Sequence, residues 1–249
     1  MKNIFALIAF LFSTSIMAWG QYTVVGKIEY EKKVNVWARY KEYLDDEGNN
    51  SWYDEWKART PQFNVTYFDL SFNREKSIYK PGKELENAGR NNNWDPATDN
   101  MVLTDFKTQN VKAVKNVFEQ KFFVQDSMRK IEWRVKDEIR TIADYKCFKA
   151  VGKICDSVYV VAFYTEDIVA AGGPEMFGGL PGMILELAIP RLHTTWVADK
   201  IEITAPEEKD FALPEKGKKV TEKELYETIQ HSLKDWGKWA PRYIWLTVL

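Results

Sequence analysis

Two cysteines, two histidines, ten tryptophans and one glycine–proline run are the features of this chain that could carry chemistry. Cys147 and Cys155 flank Phe148-Lys149-Ala150-Val151-Gly152-Lys153-Ile154. If Ala150-Val151-Gly152 is a three-residue hairpin loop with Gly152 left-handed, Cys147 faces Cys155. Directly opposed residues sit ~4.5–5.5 Å apart, within disulfide reach. The alternative is a pair of buried thiols. His193 follows Pro190-Arg191-Leu192 and reads as a solvated turn residue rather than a ligand or base, and His231 falls on a helix. There is no His-Glu-x-x-His, no Cys/His cluster with zinc spacing, no Gly-x-Ser-x-Gly elbow and no phosphate-cradling loop. Catalytic, cofactor and metal residues are therefore not assigned. Asp45, Asp46, Glu47 and Asn49 do not match the twelve-residue calcium loop and read as a solvated acidic loop. Trp52, Trp56 and Trp94 lie in polar stretches, where they could stack on sugars, clasp a peptide, or fold back to close the core.

The glycine–proline run is Gly172-Gly173-Pro174-Glu175-Met176-Phe177-Gly178-Gly179-Leu180-Pro181-Gly182. Its residues need special backbone angles. They predict a tight loop that feeds a strand at Met183, with Leu180 as a core plug. The loop is expected to be structure rather than a contact site, because Gly178 to Gly182 offer no side chain that could read a polar ligand.

Elements with period-two alternation must position these residues. Ile28, Tyr30, Val34 and Val36 suggest a first strand with a slip near Lys32. Phe68, Leu70 and Phe72 alternate with polar neighbours, as do Ile131, Trp133 and Val135, each run with one buried face. Ser157 to Tyr164 is apolar on both faces and reads as a central strand. Met183 to Ile189, a turn to His193 and a return to Thr204 complete a count of about nine to eleven strands. Polar inserts at about 41–61 and 81–100 show no clear period. Thr221 and Glu224 form a capping box, with Val220 and Leu225 as its staple. Leu225, Ile229, Leu233 and Trp236 then share one helix face, and Gly237 ends the helix. The apolar tail after Pro241 should pack on the sheet. The fold expected is mainly β: a curved antiparallel sheet or open barrel with one C-terminal α-helix packed on it, on the concave face or across one end.

The N-terminus is built for export. Lys2 precedes an apolar run from Ile4 to Phe12, and Ala18-Trp19-Gly20 offers small residues at the cleavage positions. Residues 1–20 read as a signal peptide, leaving Gln21 or Trp19 first, and residues 21–249 as one β-rich domain. The run is shorter than the ~20 apolar residues that span a bilayer, and no later segment is long enough. A buried N-terminal helix or strand is the alternative. The formal net charge of −1 gives no electrostatic footprint for nucleic acid.

Gly179-Leu180-Pro181-Gly182-Met183-Ile184 resembles the hexapeptide that names the GLPGLI family, exported bacterial proteins of unassigned function. Trp133, the segment from Ile142 to Ala150 with Tyr145 and Cys147, and the Tyr164-Thr165-Glu166-Asp167-Ile168 step before Gly173-Pro174 are similar to residues of that family. The resemblance covers about Asn110 to Thr204, with a weaker echo from Gly26 to Tyr30. Met183 stands where the family name has Leu, and Cys155 is not a family feature. The resemblance implies export and work near outer-membrane receptors that import nutrients; it supplies no catalytic residues. The function expected is that of a non-catalytic binding or accessory protein of the cell envelope, with an outer-membrane receptor or another envelope protein as partner. The alternative is a periplasmic carrier with an apolar cavity for a lipid-like ligand, since a curved sheet with a helix is also the outline of such carriers. An enzyme is the third class.

Overall fold

A computed structural model of the protein describes residues 22–44, 51–83, 96–155 and 157–249. The expected leader, the acidic run from Asp45 to Asn49, and Trp94 lie outside the described residues. Alternation builds one twelve-stranded sheet. In β1 (Gly26–Asn35) the phase Ile28, Tyr30, Lys32, Val34 is buried. β2 (Phe63–Phe72), β3 (Lys76–Pro81), β4 (Met101–Asp105), β5 (Asn110–Val117) and β6 (Gln120–Ser127) form a meander on one side of it. β7 (Arg134–Ile142), β8 (Tyr145–Ile154), β9 (Val158–Thr165), β10 (Met183–Ile189) and β11 (Thr194–Glu202) form a second meander on the other. β1 joins the two, pairing antiparallel with both β2 and β11. Short β12 (Lys218–Val220) adds to β6 in parallel. The order is β12-β6-β5-β4-β3-β2-β1-β11-β10-β9-β8-β7, and the sheet stays open, with β7 as one terminal strand.

Cross-strand register sets one face. Tyr30 opposes Phe68, Leu70 opposes Tyr79, Val102 opposes Ala113, and Trp196 opposes Lys32. All of these residues are buried. Helices cover parts of this core. The capping box forms: Thr221 Oγ1 accepts from the Glu224 amide and Glu224 Oε2 accepts from the Thr221 amide. The helix it opens (Glu222–Ser232) buries Leu225 and Ile229, and Leu233 caps its end. The tail is a second C-terminal helix (Ala240–Thr247), which buries Ile244 and Leu246. In chain order the four α-helices among the described residues are α1 (Val36–Leu44), α2 (Ser51–Arg59) and these two, α3 and α4.

Several expectations are corrected. The Cys147–Cys155 hairpin does not exist, because β8 runs straight through its supposed loop. Eight residues at ~3.3 Å each set the two cysteines on the order of 25 Å apart, far beyond disulfide reach. No disulfide joins them. Gly152 serves close packing instead: a Cβ there would meet Ile131 and Trp133. The 131–135 run is not a half-buried strand. Ile131 and Trp133 lie on the core before the strand starts, and β7 is wet because it has a neighbour on one side only. The strand irregularity falls between Glu29 and Tyr30, and Lys32 points into the core. The first polar insert carries the end of α1 and all of α2. The capped helix stops at Ser232 with Leu233 as its C-cap, so Trp236 and Gly237 lie beyond it and Trp236 is exposed.

Candidate binding site: the plugged sheet face and the cleft beside the free edge

The chain between β9 and β10 is tied down by its backbone. Thr23 donates to the Asp167 carbonyl at 2.7 Å and its carbonyl accepts from Val169, making a parallel bridge to Ile168. Ile184 donates to Gly172 at 2.9 Å, and Gly179 donates to Ala171. Gly182 has φ +151°, and a Cβ there would collide with the Thr165 carbonyl oxygen, so only glycine fits. Leu180 is 3% exposed and belongs to the core cluster with Phe177 and Met176. Trp133 Nε1 donates to the Gly178 carbonyl at 2.9 Å.

At the far end of this loop Glu175 is 1% exposed. It crosses the buried face to reach the other half of the sheet. Asn100 Nδ2 donates to its Oε2 at 2.8 Å, and the Tyr79 hydroxyl of β3 lies 3.5 Å from Oε1. Tyr79 also accepts from Trp196 Nε1 at 3.1 Å, while Tyr30 donates to the Ile184 carbonyl at 2.5 Å. Burial first, and then Glu175, pushes the Tyr79 hydroxyl well above its usual pKa. Two lysines sit in the same interior. Lys32 Nζ donates to the Ala97 carbonyl at 2.7 Å and stands over the Phe68 and Trp196 rings. Lys115 donates to the Thr247 and Leu249 carbonyls, pinning the end of α4. Burial pulls the Lys115 amine down to about 8, against the opposing pull of Glu175. Buried charges persist only when paired or hydrogen-bonded. This network holds loop, sheet and C-terminal helix in one arrangement, and it is closed to solvent.

The open space lies at the sheet's end. A cleft of about 1320 Å³ is lined by Asp126 and Ser127 of β6, by residues 128–132 of the crossover to β7, by Arg134 and Lys136 of β7, by the ends of β8 and β9, and by Glu222, Lys223 and Tyr226 of α3. The terminal strand β7 and the penultimate strand at the other end, β6, therefore both contribute to it. Arg129 ties its wall together: Nε and Nη2 lie 2.9 and 2.5 Å from Glu222 Oε1, and the guanidinium stands 5.6 Å over the Phe177 ring of the motif loop. Met128 and Trp133 reach the same loop at Gly178. The motif loop thus supports the crossover from inside, and the crossover forms the cleft from outside.

The sequence-assigned residues do not converge there. Gly173, Pro174, Gly179, Leu180, Pro181 and Gly182 lie in the loop under the cleft wall. Trp52 is exposed on α2, and Trp56 stacks on Tyr53 at 5.8 Å and meets Tyr40 at 4.5 Å. Cys147 is buried and burial pushes its thiol up to about 12. His193 takes a left-handed backbone angle after the turn, its Nε2 2.6 Å from Glu42 Oε1; burial and then Arg39 lower its pKa. Glu175, Lys115, Lys32 and Asn100 were missed. A signal existed for the lysines. Lys115 falls in phase with Val111, Ala113 and Val117, and Lys32 with Ile28, Tyr30 and Val34.

A family model described as "Protein of unknown function (Porph_ging)" matches residues 152–186, from β8 through the motif loop into β10. No curated protein matches the chain. Among solved structures the chain is similar to PNGF-II in a C2 crystal form, with TM-score 0.52 and 15% identity over 89% of this chain and 33% of that one. In a P21 form the values are 0.54, 14%, 84% and 34%. MucB in complex with MucA(peri) is more distant, with TM-score 0.38 and 8% identity over 82% of this chain and 60% of that one. The chain spans about a third of the PNGF-II chain's length, and the likeness concerns the fold alone. What this chain shares by sequence is therefore a segment typical of a family of unknown function.

Proposed function

We propose that the protein is an exported, non-catalytic binding or accessory component of the bacterial cell envelope, of the GLPGLI type, and that it engages its partner through the cleft at the open end of the sheet. One observation carries this reading. The loop that bears the motif fills the buried face of the sheet, with Leu180 in the core and Glu175 sealed among Asn100 and Tyr79, whereas the cleft is open and of mixed lining. A carrier needs an enclosed apolar cavity, and here the loop occupies that place. An enzyme needs its reactive groups within reach of substrate; the Glu175 carboxylate is out of reach. The residues that carry the GLPGLI resemblance support the reading as a set, because Trp133 and Thr165 both lie against the Gly178–Gly182 turn. An outer-membrane nutrient receptor is the partner that the resemblance favours.

The test is native mass spectrometry of the protein recovered from the periplasm, together with its N-terminal sequence. The expected result is a bare chain starting at Gln21 or Trp19. A co-purifying lipid-like mass would support the carrier instead, and an intact Met1 on exported protein would remove the signal-peptide reading.

A further inference from the structure

β7 ends the sheet, and its outer edge carries backbone donors and acceptors with no strand beside them among the described residues. The side chains of this edge are sorted by face. Register with β8 puts Arg134 opposite Val151 and Lys136 opposite Lys149, on the face away from the core. It puts Val135 opposite Ala150 and Ile139 opposite Phe148, on the core-facing side. Val135 and Ile139 are nonetheless 57% and 55% exposed, because no strand among the described residues lies beyond β7 to cover them. On the outward face Lys153 continues the cationic row, and Arg134, Lys136 and Lys153 form no ion pair among the described residues. Arg134, Lys136 and Lys153 all line the cleft. Asp126, Glu132 and Glu222 also line the cleft, Glu222 being held by Arg129. Arg129, Lys130, Arg134, Lys136, Lys153 and Lys223 outnumber them six to three, so the cleft is locally positive on a chain of formal charge −1.

We propose that the free edge of β7 takes up an extended segment of a partner protein whose residues alternate acidic and apolar, the segment lying along the cleft as an added strand. This rests on the cleft being the binding surface and goes further by naming what enters it. A strand added to a sheet edge presents successive side chains to opposite faces. Its acidic phase would meet Arg134, Lys136 and Lys153, and its apolar phase would cover Val135 and Ile139. A second copy of this chain is the poorer occupant, since pairing β7 antiparallel with itself about Val135, the apolar residue between the two cations, sets Arg134 against Lys136. The shift in register between Lys136 and Ile139 distorts the edge further and disfavours indiscriminate pairing.

The test uses the mature chain and fluorescent peptides of about nine residues, the length of β7. One peptide alternates Glu and Val; a second alternates Lys and Val; a third has the composition of the first with all Glu at one end; a fourth is the first with N-methyl groups on every residue, so that neither edge can donate. Anisotropy titrations should show saturable binding of the first, weakened by salt. The second and third should bind at least about tenfold more weakly, and the fourth should fail. Lys136→Glu with Lys153→Glu, both on the wet surface, should keep the thermal midpoint and reverse the preference between the first two peptides. No saturable binding of the first peptide, equal binding of the first two, or full binding of the N-methylated one overturns the added strand. If cross-links from cleft positions to an envelope protein still form, only the strand is overturned; if those also fail, the cleft itself is the wrong surface.

Discussion

Gly182 and Lys115 are single residues on which the account leans, for different reasons. Gly182 occupies a backbone conformation and a space that no side chain shares. Gly182→Val is expected to cost at least the ~1–3 kcal/mol of a strained position. Leu180→Ala, in the same turn, should lose ~2–5 kcal/mol as a buried leucine does. Urea denaturation measures both; a wild-type midpoint for Leu180→Ala combined with lost partner capture would move the binding site to the motif. Lys115 is a base whose native pKa, about 8, lies below its ordinary value of 10.5. The folded chain then binds fewer protons than the unfolded one between those values, so this group adds stability as pH rises through that window. Wild type should gain on Lys115→Met between neutral pH and about pH 9.5, and a constant difference would show that Lys115 keeps an ordinary pKa. Burial also raises the Tyr79 hydroxyl and the Cys147 thiol, which lowers stability at high pH in both proteins alike, so the difference isolates Lys115.

Elements were legible where the pattern was local. The Thr221–Glu224 box, the strand from Met183 and the turn at Pro190 are written in neighbouring residues, and each stands where the spacing puts it. Thr221→Ala should therefore weaken the protein by about 0.5–2 kcal/mol, the cost of losing an N-cap, and an unchanged midpoint would show that α3 is held by packing alone. What failed depended on neighbours distant in sequence. Gly152 reads as a loop residue, but its missing side chain makes room for Ile131 and Trp133, so β8 stays straight and the cysteines stay apart. Reduction should add no mass to the native chain. Cys147, buried with a thiol pKa near 12, should resist alkylation until the protein unfolds. Rapid labelling of Cys147 in the native state, or a mass gain of two hydrogens on reduction, would contradict this. β7 likewise has an alternating sequence, yet its position at the end of the sheet decides that it is wet.

At the scale of the molecule, two five-stranded meanders meet through β1, and one loop spans the join. Composition and alternation reveal a mainly β chain with an open sheet. They do not reveal that the motif loop lies across the sheet's buried face, because Glu175, Asn100 and Tyr79 are brought together only by the fold. With that face occupied, the cleft beside β7 is the surface we propose for a partner. The most direct measurement is site-specific photo-crosslinking in the cell envelope, with the reactive residue placed at Lys153 or Tyr226 in the cleft and, as a control, at Lys107 on the β4–β5 turn. The account predicts a discrete adduct with one envelope protein from the cleft positions and none from Lys107. Adducts of equal yield from all three positions, or from Lys107 alone, would contradict it.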